Sequence, residues 1–236
     1  MLRQCGFSLT ELMVGSTVGL LVIAGALQLY VVNIRATSDT VRLSRLNQEL
    51  RGTLDLLTND LRRAGYWAFT PGSVTPTDNP FQTDSNDVQL GNSTGEPDNS
   101  CVLYSYDLNS DLRVGVGPSG IASPTTSTSN LEQFGFRLRA GQIQMRNGGS
   151  PFTCTGGSWQ AITDADTEVT GLQFALQEIC INLLDVELPC SAGDPGMLRR
   201  SIRIALRARS RSDTTITHQL TNSVAFANDK LLITVP

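Results

Sequence analysis

The chain begins with a long run of apolar positions. Between positions 12 and 32 there is no charged residue, and the polar side chains are Ser16, Thr17, Gln28 and the amphipathic Tyr30. About 21 helical residues at 1.5 Å each span the roughly 30 Å hydrocarbon core of a bilayer. The pattern therefore predicts a transmembrane helix near the N-terminus.

Leucines beyond this run recur on one face of a helix. They follow one another at steps of three or four residues: Leu43, Leu46, Leu50, Leu54, Leu57 and Leu61. Charged residues fill the other faces, as expected of an amphipathic helix. Gly65 is a helix-ending signal, and the first proline comes only at Pro71. One continuous helix is predicted from about Ser8 to Ala64.

After position 100 apolar and polar residues alternate, which is the period of β-strands. A two-residue turn at 140–141 would place Leu138 opposite Ile143 and Phe136 opposite Met145, with all four side chains on one face. Further strands are predicted at 102–106, 172–176, 202–208, 216–220 and 232–235. The simplest architecture is an antiparallel sheet with one face on the helix and the other in solvent.

Two polar stretches lack any period. The residues from Tyr66 to about Ser100 are rich in Pro, Asp, Asn, Thr and Gly, and we expect an extended connection over the surface. The residues from Gly115 to Asn130 are predicted to form a loop.

Composition narrows the class of protein. With 236 residues, 40% of them hydrophobic, and a formal net charge of −4, the chain can form one core-bearing domain plus an appendage. The mildly acidic balance argues against a dedicated nucleic-acid binder, because affinity for phosphate backbones comes chiefly from clustered positive charge.

The cysteines point to an oxidising compartment. Cys5 precedes the apolar run, and four more lie well after it: Cys101, Cys154, Cys180 and Cys190. An even set dispersed through a polar region indicates two disulfides, and no CxxC pair suggests a zinc site. Three pairings are possible. The short segment ending in Pro189 favours a loop closed by Cys180 and Cys190, which leaves Cys101 for Cys154.

The residues just before the apolar run carry a specific motif. An ordinary secretory signal is cut after its apolar core, whereas the candidate small residue here, Gly6, precedes it. The run from Gly6 to Leu12, with Arg3 ahead of it, resembles the type IV prepilin cleavage and methylation motif. The resemblance implies cleavage between Gly6 and Phe7 by a prepilin peptidase and N-methylation of Phe7. Such a cut would keep the membrane helix in the mature protein.

Glu11 is an ionisable group at the edge of the membrane span, where it is costly without a partner. Cleavage creates a new α-amine on Phe7, and the resemblance implies that Glu11 of an incoming subunit attracts this amine on a neighbour during assembly. The alternative is that Glu11 extends to the cytoplasmic interface. Gly15 and Gly19 have a GxxxG spacing that permits close helix packing, although glycine is common in membrane helices.

The segments Leu46 to Arg51 and Leu61 to Tyr66 further resemble PilW-type minor pilins. The resemblance implies an α+β, pilin-like fold, in which a long N-terminal helix with a transmembrane half and an amphipathic half packs on an antiparallel β-sheet domain. The expected organisation is a prepilin leader at 1–6, a transmembrane helix segment at 7–32, an amphipathic helix stem at 33–65 and a globular β-sheet domain at 66–236.

The resemblance implies a minor type IV pilin, a structural and assembly subunit that is incorporated into a pilus or primes it. We expect it in the inner membrane with a periplasmic globular domain, and then in the pilus at the cell surface. The expected partners are other minor and major pilins, prepilin peptidase, the inner-membrane pilus assembly machinery and the membrane itself. The alternatives are a type II secretion pseudopilin and a pilus-borne adhesin or DNA-binding module.

The sequence offers little for catalysis or metal binding, and no cofactor is implied. His218 is the single histidine, there is no GxSxG motif, and we expect His218 to be an exposed strand residue rather than a catalytic base. Asp164, Asp166 and Glu168 alternate and could share a cation, but Val169 stands where a calcium loop of the EF-hand type needs glycine. We favour a solvated acidic loop and expect no metal.

Arginines cluster near the end of the chain. Four of them share one predicted strand face, opposite Ile202 and Ile204: Arg203, Arg207, Arg209 and Arg211. Such a row is compatible with a solvated strand face, with an acidic patch on another subunit, or with DNA. We favour the solvated face and expect nucleic-acid binding least.

Overall fold

The structure is a computed structural model that describes residues 8–68, 79–114, 132–233 and 235. The expected cleavage residues Gly6 and Phe7 and the predicted loop at 115–130 lie outside the described residues. Residue contacts divide the chain into two compact units, Met1–Arg45 and Leu46–Pro236.

The predicted continuous helix is confirmed as α1, which spans Leu9–Leu61. Its final residues enter the second unit, where the chain turns through 62–65. Gly65 has a φ of 72°, and its N–H donates to the carbonyl of Ser105 at 2.8 Å. A Cβ at this position would lie 2.5 Å from Nε2 of Gln82, so both the backbone conformation and the space require glycine.

The second unit contains two antiparallel sheets, where the sequence predicted one. The first sheet has the order β1-β2-β3-β4-β5 and comprises β1 (Gln89–Gly91), β2 (Cys101–Ser105), β3 (Gln133–Arg139), β4 (Gln142–Gly148) and β5 (Ser158–Ala161). The second comprises β6 (Thr167–Asn182), β7 (Gly196–Ser210), β8 (Thr217–Ala225) and β9 (Lys230–Leu232), with β7 paired to the other three. The α+β class with a helix on antiparallel sheets is confirmed.

The predicted hairpin between β3 and β4 has the expected register. Leu138 lies opposite Ile143 and Phe136 opposite Met145. Ala140 and Gly141, the two turn residues, have φ values of 51° and 72°. Positive φ at both central residues is the geometry of a type I′ turn, whose twist matches that of the flanking strands.

The helix and both sheets enclose one hydrophobic core. The leucine row of α1 contributes Leu46, Leu50, Leu54, Leu57 and Leu61, each at most 7% exposed. Residues of both sheets meet this row, among them Phe136 of the first sheet and Phe174 and Ile204 of the second. The alternation in β3, β6 and β7 therefore faces one shared core, which explains how a single helix face can serve two sheets.

The expectation of a purely extended surface connection between Tyr66 and Ser100 is wrong for the residues that the structure describes there. Two short 3-10 helices, Pro80–Gln82 and Asp84–Asn86, are followed by β1. Phe81 is 1% exposed and Gln82 is buried beside Gly65. Asn79 caps the first of these helices by accepting from the N–H of Phe81. Turn-forming residues thus build local structure here, and one aromatic side chain anchors it.

Candidate functional site

The first unit ends at Arg45 and contains the apolar part of α1. Its large side chains lie outside any core among the described residues: Leu12, Leu20, Leu21 and Val22 are each at least 66% exposed. The helix is long and apolar enough to cross a membrane, and its most apolar window has no buried residue. Such a surface requires a non-aqueous partner, because isolated exposure of this much apolar area is unfavourable in water.

The structure gives Glu11 a second role that the sequence analysis missed. Its Oε2 accepts the backbone N–H of Ser8 at 3.1 Å, three residues earlier. Serine at the N-cap and glutamate at the third helical position form the pattern of a capping box. The signal, Ser8-x-x-Glu11, is visible in the sequence. Any test of Glu11 must therefore separate its charge from its contribution to the start of the helix.

Other polar groups in this apolar segment are satisfied within the helix. The hydroxyls of Ser16 and Thr17 donate to the carbonyls of Met13 and Val14, each at 2.9 Å. Among the described residues nothing lies within 4 Å of a Cβ added at Gly15 or Gly19. Close packing on these glycines would need a helix from another molecule, so their GxxxG role stays a prediction.

The far end of α1 is fixed to the first sheet by a buried carboxylate, Asp60. Tyr104 lies on β2, and Tyr106 directly follows this strand. Their hydroxyls donate to the two carboxylate oxygens of Asp60. Arg63 forms an ion pair with the same carboxylate and stacks over the ring of Tyr106 at 4.5 Å. Both carboxylate oxygens of Asp60 thus accept hydrogen bonds, which offsets the cost of burying the charge.

Burial and the adjacent charge favour the protonated form of both tyrosines. Burial, followed by the charge of Asp60, raises the pKa of Tyr104 well above its usual value of 10.0. The same two causes raise the pKa of Tyr106. The hydroxyls therefore remain donors to Asp60 at all physiological pH values, and these hydrogen bonds hold the end of α1 against the first sheet.

Two further contacts tie α1 to the rest of the second unit. Glu49 accepts the backbone N–H of Asp164 at 2.7 Å and the hydroxyl of Thr167, at the start of β6. Thr58 accepts from Nδ2 of Asn222, on β8, at 3.1 Å. The helix is thus held to both sheets by polar side chains as well as by its leucine row.

Comparison with known families gives two matches, which together cover most of the chain. Residues 1–27 match the prokaryotic N-terminal methylation motif. Residues 39–226, most of the chain, match the family described as prepilin peptidase-dependent protein B. The chain belongs to the prepilin peptidase-dependent protein B family. It is a pilin-like protein with an N-terminal methylation motif, which places it in the context of pilus assembly.

One relative of this prepilin peptidase-dependent protein is a Haemophilus influenzae protein described as uncharacterized. The two are 28% identical over 155 residues, which cover 55% of this chain and 65% of the relative. The chain thus spans just under two thirds of the relative's length. No solved structure matches the chain. These matches concern the prepilin class, and the PilW-type assignment stays a prediction.

The domain of this prepilin peptidase-dependent protein contains two disulfides. Cys101 pairs with Cys154 and Cys180 with Cys190, which agrees with the pairing that the short loop before Cys190 favoured. The first bond joins β2 to the segment between β4 and β5. The second closes the loop between β6 and β7. Cys5 lies outside the described residues.

The arginine row on β7 is partly neutralised. Arg209 donates through Nε and Nη2 to the carboxylate of Glu168 at 2.8 and 2.9 Å, and this hydrogen bond lowers the pKa of Glu168. Arg207 donates to Oε1 of Gln219 at 2.9 Å. Arg203 and Arg207 are exposed, as expected of a solvated strand face.

Arg200, on the inner side of β7, behaves differently from its neighbours. Its side chain is 1% exposed and donates to Asp87 at 2.5 Å, while Lys230 binds the other oxygen of Asp87 at the same distance. Asp87 therefore joins β7 and β9 to the segment that precedes β1. No local pattern indicates this contact, because Asp87 lies more than a hundred residues before both Arg200 and Lys230.

The acidic residues do not form the cation site considered from the sequence. Glu168 is paired with Arg209, and Asp164 and Asp166 are exposed. In the described part of the chain a different group, Asp107, Asp111 and Glu132, brings its oxygens within 4.8 Å of one another.

This second acidic group already has protein donors. Asp107 accepts the backbone N–H groups of Ala68, Asp111 and Leu112, and Glu132 accepts that of Leu108. Such bonds stabilise buried carboxylates without a metal ion. The cluster therefore fixes a loop and carries no inference of a cation, although these are the residues that could hold one.

His218 is half-buried on β8 rather than exposed as expected. Positions 216, 218 and 220 alternate with exposed positions, so His218 shares the partly buried face with Ile216 and Leu220. The matching families describe a structural pilin-like protein rather than an enzyme.

Proposed function

We propose that this chain is a minor type IV pilin, which prepilin peptidase cleaves between Gly6 and Phe7 and N-methylates at Phe7. The observation that carries the proposal is the methylation motif over residues 1–27, which continues directly into the apolar helix. Removal of the first six residues leaves this helix intact at the new N-terminus. Processing of this kind converts a membrane-inserted precursor into a subunit that can be packed through its helix.

The apolar half of α1 is the part that packs. It lies in the inner membrane before assembly and among the helices of other pilins afterwards. The globular domain lies in the periplasm and then in the pilus at the cell surface. Its two disulfides support this location, because they form in oxidising compartments.

Glu11 directs the docking step. Its charge is costly in hydrocarbon and is attracted to the α-amine of Phe7 on a neighbouring subunit. The partners are other minor and major pilins, prepilin peptidase and the inner-membrane assembly machinery. The segments Leu46 to Arg51 and Leu61 to Tyr66 support a PilW-type subunit within this class.

Cleavage is tested by Gly6→Val. A branched side chain just before the cut clashes in a site shaped for glycine, so only unprocessed protein is expected on N-terminal mass spectrometry. Gly52→Val, the same change at an exposed position of α1 beyond residues 1–27, is the matched control and should be processed normally. Intact Met1 on the wild-type protein in assembled pili would contradict the proposal.

The minor pilin role is separated from that of a type II secretion pseudopilin by deletion of the gene. A minor pilin predicts loss of piliation and twitching with normal protein secretion. Lost secretion with normal piliation would instead assign the chain to the secretion system. Binding of the protein to DNA with a steep salt dependence would favour the DNA-binding alternative.

A further inference from the structure

The end of β6 and the loop that follows it expose an unusual amount of apolar surface. Ile179, on β6, is 65% exposed, and Leu184 and Val186 in the loop are 71% and 75% exposed. Leu183 and Leu188 are also exposed. These five large side chains lie within ten positions of one another. A water-exposed domain rarely keeps such a cluster without a partner, because burying each side chain on contact stabilises the complex.

The loop is held in one shape. The disulfide between Cys180 and Cys190 closes it, and Asn182 at its base is buried and binds both the carboxylate of Asp194 and the N–H of Leu184. Little conformational entropy is therefore lost when the loop binds a partner. Its charged side chains are acidic, Asp185 and Glu187, and there is no Lys or Arg between positions 180 and 198. We call residues 180–190 the acidic loop.

The outer face of the second sheet carries a groove that is lined in part by a basic side chain, Arg207. It has a volume of about 280 Å³ and lies where Gly171 of β6 has no side chain, between Pro97, Ala205 and Arg207. Small-molecule sites begin at roughly 300 Å³, so this groove is better matched to one or two inserted side chains than to a cofactor. Arg207 is exposed at the groove, and Arg203 is exposed on the same face.

We propose that the acidic loop of one copy of this chain docks in the Arg207 groove of a second copy. Leu184 and Val186 enter the groove, and Asp185 between them meets the guanidinium of Arg207. The loop carries two carboxylates, whereas the groove carries the guanidinium of Arg207 beside one carboxylate, Asp98. The two surfaces also differ in shape, because the loop projects and the groove is a recess. Both are present in the same domain, so each copy offers one of each.

The loop cannot reach the groove of its own chain. Gly171, in the groove, and Cys180, at the base of the loop, are nine positions apart on the continuous strand β6. This spacing corresponds to about 30 Å along the strand. The contact must therefore be intermolecular. Because it joins two different surfaces, it has no two-fold axis and can be repeated along a chain of subunits.

The test measures self-association of the full-length protein in detergent micelles, with no pilus present. Energy transfer between two fluorophore-labelled pools gives the dissociation constant. Asp185→Arg alone and Arg207→Glu alone should each raise it about tenfold or more, because each places like charges in contact. The double variant Asp185→Arg/Arg207→Glu should regain the wild-type value, because the two charges have exchanged places.

A mixture of the two single variants supplies a second criterion. The Arg207→Glu protein keeps an intact loop and the Asp185→Arg protein keeps an intact groove, so an equimolar mixture should associate more tightly than either variant does alone. Arg203→Glu reverses the same charge on the same face outside the groove, and about a twofold change or less is expected. Asp98→Asn removes the acidic side chain that lines the groove and should tighten association.

Each variant is first checked for wild-type thermal unfolding and for both disulfides, and Asp185→Asn with Arg207→Gln replaces any variant that fails. Equal association of all variants would place the contact elsewhere, for example on the membrane helix, and would overturn the proposal. Loss in both singles without recovery in the mixture would also overturn it. Intact self-association with lost co-purification of other pilins would assign the loop to a different partner. None of these outcomes decides the proposed function, which is tested by processing and piliation.

Discussion

Leu20 and Leu57 lie on the same helix in opposite surroundings. Leu20, in the first half of α1, is 66% exposed, whereas Leu57, in the second half, is fully buried. In the first half apolar side chains point in all directions around the helix. In the second half they form one row, and the other faces carry charge. The backbone geometry is the same, so the difference comes entirely from the side-chain pattern.

The pattern shows where each half finds its partners. A helix that is apolar all round must be surrounded on every side by other apolar material, whereas a helix with one apolar row needs a single core. The second half meets that core within its own chain. The first half has no such core among the described residues, so its partners are lipid or other subunits. Substitutions should therefore affect stability in the second half and assembly in the first.

The largest effect on stability is expected for Leu57→Ala. Truncation of a fully buried leucine leaves a cavity and should lower the free energy of unfolding by about 2–5 kcal/mol. Leu20→Ala in the first half should leave it unchanged within about 0.5 kcal/mol. Leu56→Ala, at a side chain that is 44% exposed beside Leu57, is the control within the same half. Denaturant unfolding of the full chain in detergent, followed by tryptophan fluorescence, measures all three; equal losses would remove the distinction.

A smaller loss is expected for Asp60→Asn, which tests the polar fastening of the second half. The change keeps the size of the side chain but removes the charge that accepts from two tyrosines and pairs with Arg63. We expect a loss of about 2–3 kcal/mol, because buried hydroxyl donors lose a charged acceptor. Asp55→Asn alters an exposed carboxylate on the same helix and should cost under about 0.5 kcal/mol. A loss for Asp55→Asn as large as that for Asp60→Asn would contradict this account.

Local periodicity predicted those parts of the fold in which neighbours along the chain become neighbours in space. The leucine row needs only the helical period, and the β3–β4 hairpin needs only the strand period and a two-residue turn. The helix end at Gly65 follows from a requirement for positive φ. In each case the physical cause lies within a few residues of its effect.

The remaining features depend on polar residues that meet across long distances in sequence. Asp60 is buried and bound by Tyr104, and Arg200 is buried and bound by Asp87. No local sequence pattern distinguishes these two charged residues from exposed ones. The division of the strands into two sheets also depends on distant residues. Alternation identifies the buried face of a strand but not which other strands pair with it. The acidic loop was also missed, because no local pattern shows that its apolar side chains are exposed.

A moderate effect that appears at alkaline pH is expected from the tyrosines around Asp60. The pKa of Tyr104 is raised in the folded protein, so the folded state holds this proton more tightly than the unfolded chain does. The corresponding stability is fully present below about pH 10, the pKa of an unfolded tyrosine, and is lost as pH rises further. Tyr104→Phe should cost about 1–2 kcal/mol at pH 7 and should flatten the decline above pH 10.

Unfolding curves between pH 8 and pH 12 measure this dependence. Tyr66→Phe, at a tyrosine that is 43% exposed, is the control and should keep the wild-type slope. If the Tyr104→Phe protein lost stability above pH 10 as steeply as the wild type does, the alkaline transition would have to be assigned to another group.

The smallest effect on stability, with the largest expected effect on assembly, belongs to Glu11→Gln in the first half. Glutamine can accept the N–H of Ser8 as glutamate does, so the capping box is kept and only the charge is lost. The free energy of unfolding should be unchanged, and processing at Gly6 should proceed. We expect the protein to reach the membrane but to be poorly incorporated into pili, because it cannot attract the α-amine of Phe7 on a neighbour.

Glu11→Ala separates the two roles of this residue, since it removes both the cap and the charge. If the charge directs docking, Glu11→Gln and Glu11→Ala should be equally poor in piliation assays and in co-purification with partner pilins. If the cap is what matters, Glu11→Gln should assemble normally and Glu11→Ala should not. Normal piliation of both would show that the first half of α1 finds its partners through apolar packing alone, without a charged group to set its register.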